Sequence, residues 1–287
     1  MTTRTSTESA VTTPTCFLDV GGRRLAYRAI GEGRTILLCT RFRGTMDDWD
    51  PAFLDALAFN GMRVVIFDYT GLGLSSGVPS YDPRALVKDV HDLVEGLSLE
   101  NMIIAGWSLG GIVAQVVLAT MPAKLSHAVL LATTPAGPLV KPSEQLFYDE
   151  ARTEDMGFER QVTLFFEPKS EASRGAAKRS LERIAERHEG RGPAVPIEFA
   201  RANLGTEPRN PILPAIPILD AMKATRLPIL HIAGDHDIAF PVENWQALGR
   251  ELPTLRLLTF PHSGHGPHHQ YPEEAAAHIA AFVRTAF

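Results

Sequence analysis

Cysteine is nearly absent: Cys16 and Cys39 are the only two in 287 residues. Two thiols cannot build a disulfide framework, and Cys39 ends an apolar run where a buried free thiol is expected. The sequence therefore points to a reducing compartment, the cytoplasm. Long apolar runs are missing too. The nearest imitation of a membrane span, Ile103–Ala119, is interrupted by Gly, Ser and Gln, so no membrane is expected as a partner. Positive charge is not in excess: 28 Lys and Arg face 33 Asp and Glu, a formal net charge of −5. That balance gives no electrostatic footprint for nucleic acid. The segment Met1–Thr15 is rich in Thr and Ser and lacks the apolar core of a secretory leader, so it is expected to be a disordered tail. No internal repeat is visible.

What remains is a chain with 45% hydrophobic and 21% charged residues, long enough for one large core plus a modest insertion. Phe17–Val20 and Arg24–Ala29 flank a turn containing Gly21-Gly22 and predict a β-hairpin. Thr35–Cys39, Arg63–Phe67, Met102–Ala105, Ala128–Ala132, Pro228–Ala233 and Leu255–Phe260 are short runs with little polar alternation. Strands of that kind, separated by amphipathic helices, predict a parallel sheet covered on both faces. The expected helices include Asp47–Asn60, one starting at Asp82-Pro83 with an N-cap followed by an N1 proline, Val242–Glu251, and a closing helix from Pro272. From about residue 138 to 225 no buried-strand pattern occurs. The content there is helical or proline-punctuated, and it is expected to form a helical lid over the sheet within a single domain spanning 16–287.

The chemistry-bearing stretch is Asn101–Thr120. An apolar strand runs into Gly106-Trp107-Ser108-Leu109-Gly110, and a helix follows. The G-x-S-x-G spacing between strand and helix is that of a nucleophile elbow, a turn so tight that its flanking positions must lack a Cβ. A serine hydroxyl needs an imidazole to take its proton, and the imidazole needs a carboxylate to fix its tautomer. In an open parallel sheet these partners belong on loops after downstream strands. Two loops fit, Gly234-Asp235-His236-Asp237 and Pro261-His262-Ser263-Gly264-His265-Gly266. The glycine-rich Asp68–Gly77 loop invites a dinucleotide reading, but Ser76 stands where the third glycine of G-x-G-x-x-G belongs.

With these motifs the chain resembles an α/β-hydrolase from about Cys16 to its C-terminus, the lid being the least similar part. The order Ser, acid, His is that family's order. Its acid strand ends in G-x-x-D with a proline four residues on, a pattern met by Gly234, Asp237 and Pro241, so the resemblance implies Asp237 rather than Asp235. Its base follows a glycine, which implies His265 and leaves His262, His268 and His269 as loop or surface bystanders. The histidine cluster carries no ligand-spaced carboxylate motif, so no metal is expected, and no cofactor is implied. One oxyanion donor is then the Leu109 N–H. The family draws the other from the loop after the third strand, commonly His-Gly-x. Here that loop reads Thr40-Arg41-Phe42, and the Phe42 N–H is assigned, with Arg41 as the competing choice.

Arg41 and Arg43 could engage a substrate carboxylate or the anionic intermediate, or instead pair with Asp47, Asp48 or Asp68. Trp107 could serve as core or as pocket wall. Phe147, Phe165, Phe166 and Phe240 are candidates for an apolar pocket, together with Phe42 and Leu109. The expected activity is hydrolysis of a small to medium, partly apolar ester or lactone by Ser108, His265 and Asp237, in a monomer or homodimer. The alternatives are a cofactor-free haloperoxidase (perhydrolase), a carbon–carbon bond hydrolase, or a non-hydrolytic receptor on the same fold.

Overall fold

Along each central strand, alternate side chains enter two separate cores. Ile36, Leu38, Val64, Ile66, Ile103, Ala105, Val129 and Leu131 pack into one. Their neighbours Leu37, Cys39, Val65, Phe67, Ile104, Ala128 and Leu130 pack into the other. A period of two with both faces apolar makes a strand buried on each side. Each such aliphatic side chain contributes about 1.5–3 kcal/mol when withdrawn from water. The computed structural model, which describes residues 9–285, arranges these strands in one sheet.

The strands are β1 (Cys16–Val20), β2 (Arg23–Ile30), β3 (Arg34–Cys39), β4 (Met62–Phe67), β5 (Met102–Trp107), β6 (Leu125–Leu131), β7 (Ile229–Gly234) and β8 (Leu255–Phe260). Their spatial order is β1-β2-β4-β3-β5-β6-β7-β8. The pairs β1–β2 and β2–β4 are antiparallel, and every other neighbouring pair is parallel. The helices are α1 (Pro51–Phe59), α2 (Pro83–Gly96), α3 (Leu109–Thr120), α4 (Gln145–Ala151), α5 (Phe158–Phe165), α6 (Glu171–Ala185), α7 (Ile197–Leu204), α8 (Ile216–Ala224), α9 (Glu243–Leu248), α10 (Pro267–Gln270) and α11 (Pro272–Arg284). Helices α4 to α8 fill the connection between β6 and β7, which contains no strand. No helix among the described residues is long and apolar enough to cross a membrane.

Two expectations need correction. The single helix anticipated over Asp47–Asn60 is broken. Met46–Asp48 forms a 3-10 turn capped by Thr45, and α1 begins afresh at Pro51 with Asp50 as its N-cap. A proline inside a helix removes a donor and clashes with the preceding turn, whereas at N1 neither penalty applies. The disordered tail anticipated over residues 1–15 does not hold for residues 9–15. Residues 1–8 lie outside the described residues, but residues 9–15 are seated. The Ala10 N–H donates to Asp55 Oδ1 at 2.7 Å, the Arg187 guanidinium donates to the Ala10 and Val11 carbonyls, and Thr13 is buried. The backbone there finds charged side chains as partners, which composition alone does not reveal.

Asp50 joins the sheet layer to the insertion. Its Oδ1 accepts the Ala52 N–H at 2.9 Å, while Arg183 of α6 donates to both its oxygens, Nε at 2.8 Å and Nη2 at 2.6 Å. The carboxylate side chain is fully enclosed. Asp50→Ala therefore removes a cap and strands a partly buried guanidinium, with an expected cost of about 3 kcal/mol or more. Asp50→Asn keeps the cap and should cost less. Urea unfolding midpoints of the two variants check this, and equal losses would show that the cap contributes nothing.

Candidate active site

The strand-to-helix turn forces Ser108 into a backbone that L-residues rarely adopt, φ 59° and ψ −119°. Such a conformation costs about 1–3 kcal/mol and persists only where surroundings overdetermine it. Here they do. The Ser108 N–H donates to Leu131 O at 2.9 Å, and its carbonyl accepts from Thr133 Oγ1 at 2.7 Å, so the end of β6 and the loop leaving it grip the residue on both sides. A Cβ on Gly106 would overlap the Gly110 carbonyl, and one on Gly110 would overlap the Cys39 carbonyl. The first turn of α3 thus lies directly on the end of β3. Leu109 opens α3, so its N–H is one of the donors that a helix leaves unpaired at its start.

The loops after β7 and β8 bring a carboxylate to an imidazole. His265 Nδ1 donates to Asp237 Oδ2 at 2.8 Å, and both side chains are almost wholly enclosed. Asp237 Oδ1 accepts the Ala239 and Phe240 amides at 2.8 and 2.9 Å, which fixes the carboxylate. Asp235 does something else: its Oδ1 meets His236 Nδ1 at 2.6 Å and the Ser263 N–H at 3.1 Å, which shapes the loop. Trp107, adjacent to the serine, donates its Nε1–H to the His265 carbonyl at 2.7 Å. The nucleophile strand therefore also anchors the imidazole loop. No hydrogen bond joins the Ser108 hydroxyl to His265 among the described residues, but both groups line one cavity.

That cavity holds about 30 Å³ and is bounded by Arg41, Phe42, Arg43, Ser108, Phe147, Ala151, Met156, Leu164, Phe165 and His265. Such a volume is roughly the share of one water in the liquid. Of the sequence-predicted residues, Arg41, Phe42, Phe147 and Phe165 line it beside the serine and histidine. Trp107, Phe166 and Phe240, expected to bind substrate, do not line it. Trp107 and Phe166 are core residues. Phe240 packs edge-on against the His265 ring, 5.4 Å between centroids, and supplies an amide to Asp237. Leu109 packs with the second core. Ala151, Met156 and Leu164 carry no sequence signal, because which side of the insertion faces the serine is a tertiary fact.

The loop after β3 is held by its own arginines. Arg41 Nη2 meets Asp48 Oδ1 at 3.0 Å and Nη1 donates to the Phe42 and Arg43 carbonyls, while the guanidinium lies over the Phe165 ring at 4.7 Å and the Trp107 ring at 5.3 Å. The positive φ of the loop falls on Arg43, at 55°. Its N–H donates to the Tyr81 hydroxyl at 2.9 Å, and its guanidinium donates to the carbonyls of Ala151, Thr153 and Glu154. These bonds pin the loop to the α4–α5 connection. Neither the Arg41 nor the Phe42 N–H donates a hydrogen bond among the described residues, so both remain available as oxyanion donors.

Comparison with known proteins places this chain among proteins of one fold. A family model described as alpha/beta hydrolase fold matches residues 34–272. A protein of Mycobacterium tuberculosis H37Rv named as non-heme bromoperoxidase BpoC is 26% identical over 262 residues, covering 87% of this chain and 93% of its own. The pimeloyl-[acyl-carrier protein] methyl ester esterase of Pseudoalteromonas atlantica is 25% identical over 261 residues, covering 87% and 94%. Among solved structures, an alpha/beta hydrolase fold protein from Chitinophaga pinensis superposes with a TM-score of 0.80 at 24% identity, over 97% of this chain and all of the other.

Of the expected bystander histidines, His262 is exposed, but His268 and His269 are not at the surface. His268 is fully buried between Trp49, Phe53 and Trp107, and His269 packs against Trp107 as well. His231 is also fully buried, stacked on Trp245. Among the described residues no three His, Cys, Asp or Glu side chains are placed to hold a metal. Burial pushes His231 down to about 3 and His269 down to about 4, and takes His268 well below its ordinary value. Unfolded, these rings titrate near ~6.5. Between the folded and unfolded values the unfolded chain binds more protons, so this stability is complete above about pH 6.5 and is lost as pH falls below it. Each ring contributes a slope of about 1.4 kcal/mol per pH unit. Urea midpoints measured from pH 7 to 5 should fall steeply, and His268→Phe should flatten the profile. A level profile across that range would contradict the burial of these rings as neutral groups.

Proposed function

The chain belongs to the alpha/beta hydrolase fold family, and from that premise we propose that it is a serine hydrolase acting on a small to medium, partly apolar carboxylic ester or lactone. The observation that carries this reading is the buried His265–Asp237 pair, 2.8 Å apart, sharing one cavity with a serine on a strained elbow. Ser108 Oγ turns about χ1 to the imidazole, loses its proton to His265 Nε2 and attacks the carbonyl carbon. Asp237 holds the tautomer with Nδ1 protonated and stabilises the imidazolium. The Leu109 and Phe42 amides receive the developing oxyanion, each such donor being worth about 3–4 kcal/mol in the transition state. His265 then protonates the leaving alkoxide. It next takes a proton from water, and the hydroxide so formed releases the acid from Ser108.

A substrate pocket ordinarily measures about 300–1,000 Å³. The cavity beside Ser108 is far smaller, so α4 and α5 act as a lid that withdraws when an ester enters. A second reading draws on the bromoperoxidase name of the 26% identical relative. Hydrogen peroxide in place of water would convert the same acyl-enzyme into a peracid. Peracid formation from acetate and peroxide, abolished by Ser108→Ala, identifies that activity.

The esterase reading is tested with p-nitrophenyl esters. Wild type should release a burst of p-nitrophenolate, and Ser108→Ala should lose kcat by a factor of order 10⁶. Asp237→Asn should lose about 10⁴, because the histidine then adopts the wrong tautomer. Asp235→Asn should lose far less, since that carboxylate bonds His236 and the Ser263 amide. Equal losses at the two aspartates would overturn the assignment of the acid.

A further inference from the structure

The cavity beside Ser108 has two guanidinium groups in its wall and no carboxylate. Apart from Ser108 and His265, its other lining residues are Phe42, Phe147, Ala151, Met156, Leu164 and Phe165, all apolar. Arg41 is 8% exposed, and its Nε, sealed from solvent, has no hydrogen-bond partner. Asp48 meets one edge of this group at 3.0 Å. Arg43 has no carboxylate within ion-pairing distance among the described residues; its partners are three backbone carbonyls and Met156 Sδ at 3.4 Å. Burial and the nearby Arg41 and Arg201 charges all lower its affinity for its proton. A buried charge is costly unless it is paired. The neighbouring charges that bear on Arg43 are Arg41 and Arg201, both positive, against Asp48, already paired with Arg41, so a further countercharge is one the substrate can bring.

We propose that Arg41 and Arg43 form an anion subsite, and that the substrate is an ester carrying a free carboxylate besides the scissile bond, such as a half-ester of a short dicarboxylic acid. This specificity rests on the esterase reading above. Guanidinium groups match carboxylate and phosphate alike. The phosphono ester in the test below distinguishes the two. The arginines lie on the loop that also offers the Phe42 amide, so the substrate's second charge is bound close to the reacting carbonyl. When the α4–α5 connection withdraws, the Arg43 donors now bound to the carbonyls of Ala151, Thr153 and Glu154 are freed for the substrate.

The test compares kcat/KM for monomethyl glutarate, dimethyl glutarate and a methyl ester of a phosphono acid of matched length. Wild type should prefer the half-ester over the diester by about 10- to 100-fold, the range expected of charge-assisted hydrogen bonds. Arg41→Gln and Arg43→Gln should each lower that ratio about tenfold, and Arg41→Lys should retain part of it. A wild-type ratio at or below one overturns the proposal. Substitutions that slow charged and neutral esters equally also overturn it, since the arginines would then serve only the loop or the oxyanion. Preference for the phosphono ester overturns the carboxylate assignment. Should no ester be turned over, the esterase reading fails by itself. Calorimetric titration of glutarate into wild type and Arg43→Gln still decides the subsite: binding weakened at least tenfold by the substitution supports it, and no binding to wild type refutes it.

Discussion

The arrangement depends on one close approach of backbone to backbone, the first turn of α3 resting on the end of β3. It is possible only because Gly106 and Gly110 lack side chains. Three consequences follow from that contact. Ser108 is raised out of the sheet in a strained conformation clamped from both sides by the end of β6 and the loop that leaves it. The unpaired N–H at the start of α3 is brought beside the loop that leaves β3, so two sets of free amides share one corner. Trp107 is turned into the opposite core, where its indole reaches the His265 carbonyl. Ser108, the free amides of Leu109 and of the loop after β3, and the His265 loop are therefore positioned by a single turn. Rigid elements, rather than flexible side chains, set their relative places.

The loop after β3 solves a problem that glycine commonly solves. A left-handed residue is needed there, and Arg43 takes that conformation at φ 55°. The strain is offset by anchoring at both ends of the residue, the amide on Tyr81 and the guanidinium on the insertion. Tyr81 is itself fixed by ring contacts to Phe42 and Phe199, at 4.7 and 5.0 Å between centroids. An arginine at this position therefore links the geometry of the oxyanion loop to the seating of the insertion, which glycine could not do. Arg41 acts locally instead, spreading its charge over two aromatic faces while Asp48 meets its outer edge.

The sequence was most legible where one local rule decides the structure. Continuous apolar runs marked the parallel strands, because a strand covered on both sides has no polar face to alternate with. The elbow was legible because close backbone approach demands glycine. Asp237 and His265 followed from their places after β7 and β8 together with the family pattern, and the two side chains do meet. Legibility failed where a distant element decides. Phe165 and Phe166 are adjacent in sequence, yet only the first reaches the cavity, because the chain leaves α5 between them. The burial of His268 and His269 arises from the short helix α10 packing under Trp107, and four residues are too few to show a period. Pro51 did carry a local signal, and the helix boundary beside it could have been placed from that residue alone.

How the lid is attached decides where a substrate can enter. The end of α5 is bonded backbone to backbone with the imidazole loop, Gly266 N–H to Phe165 O at 2.7 Å, and a Cβ on Gly264 would overlap the Phe166 carbonyl. Before α4, the Glu144 N–H is bonded to Ile238 O at 2.8 Å, beside the acid. Displacing either attachment would disturb Asp237 and His265. The connection between α4 and α5 is fastened differently, by side chains: Arg43 donates to the carbonyls at 151, 153 and 154, and Arg201 and Arg152 each donate to the other's carbonyl. Side-chain hydrogen bonds at a partly exposed edge exchange with solvent at little net cost, whereas buried backbone contacts do not. On the proposed hydrolase reading, access to Ser108 would therefore open between α4 and α5, over Met156, with the Asp237 and His265 loops left in place.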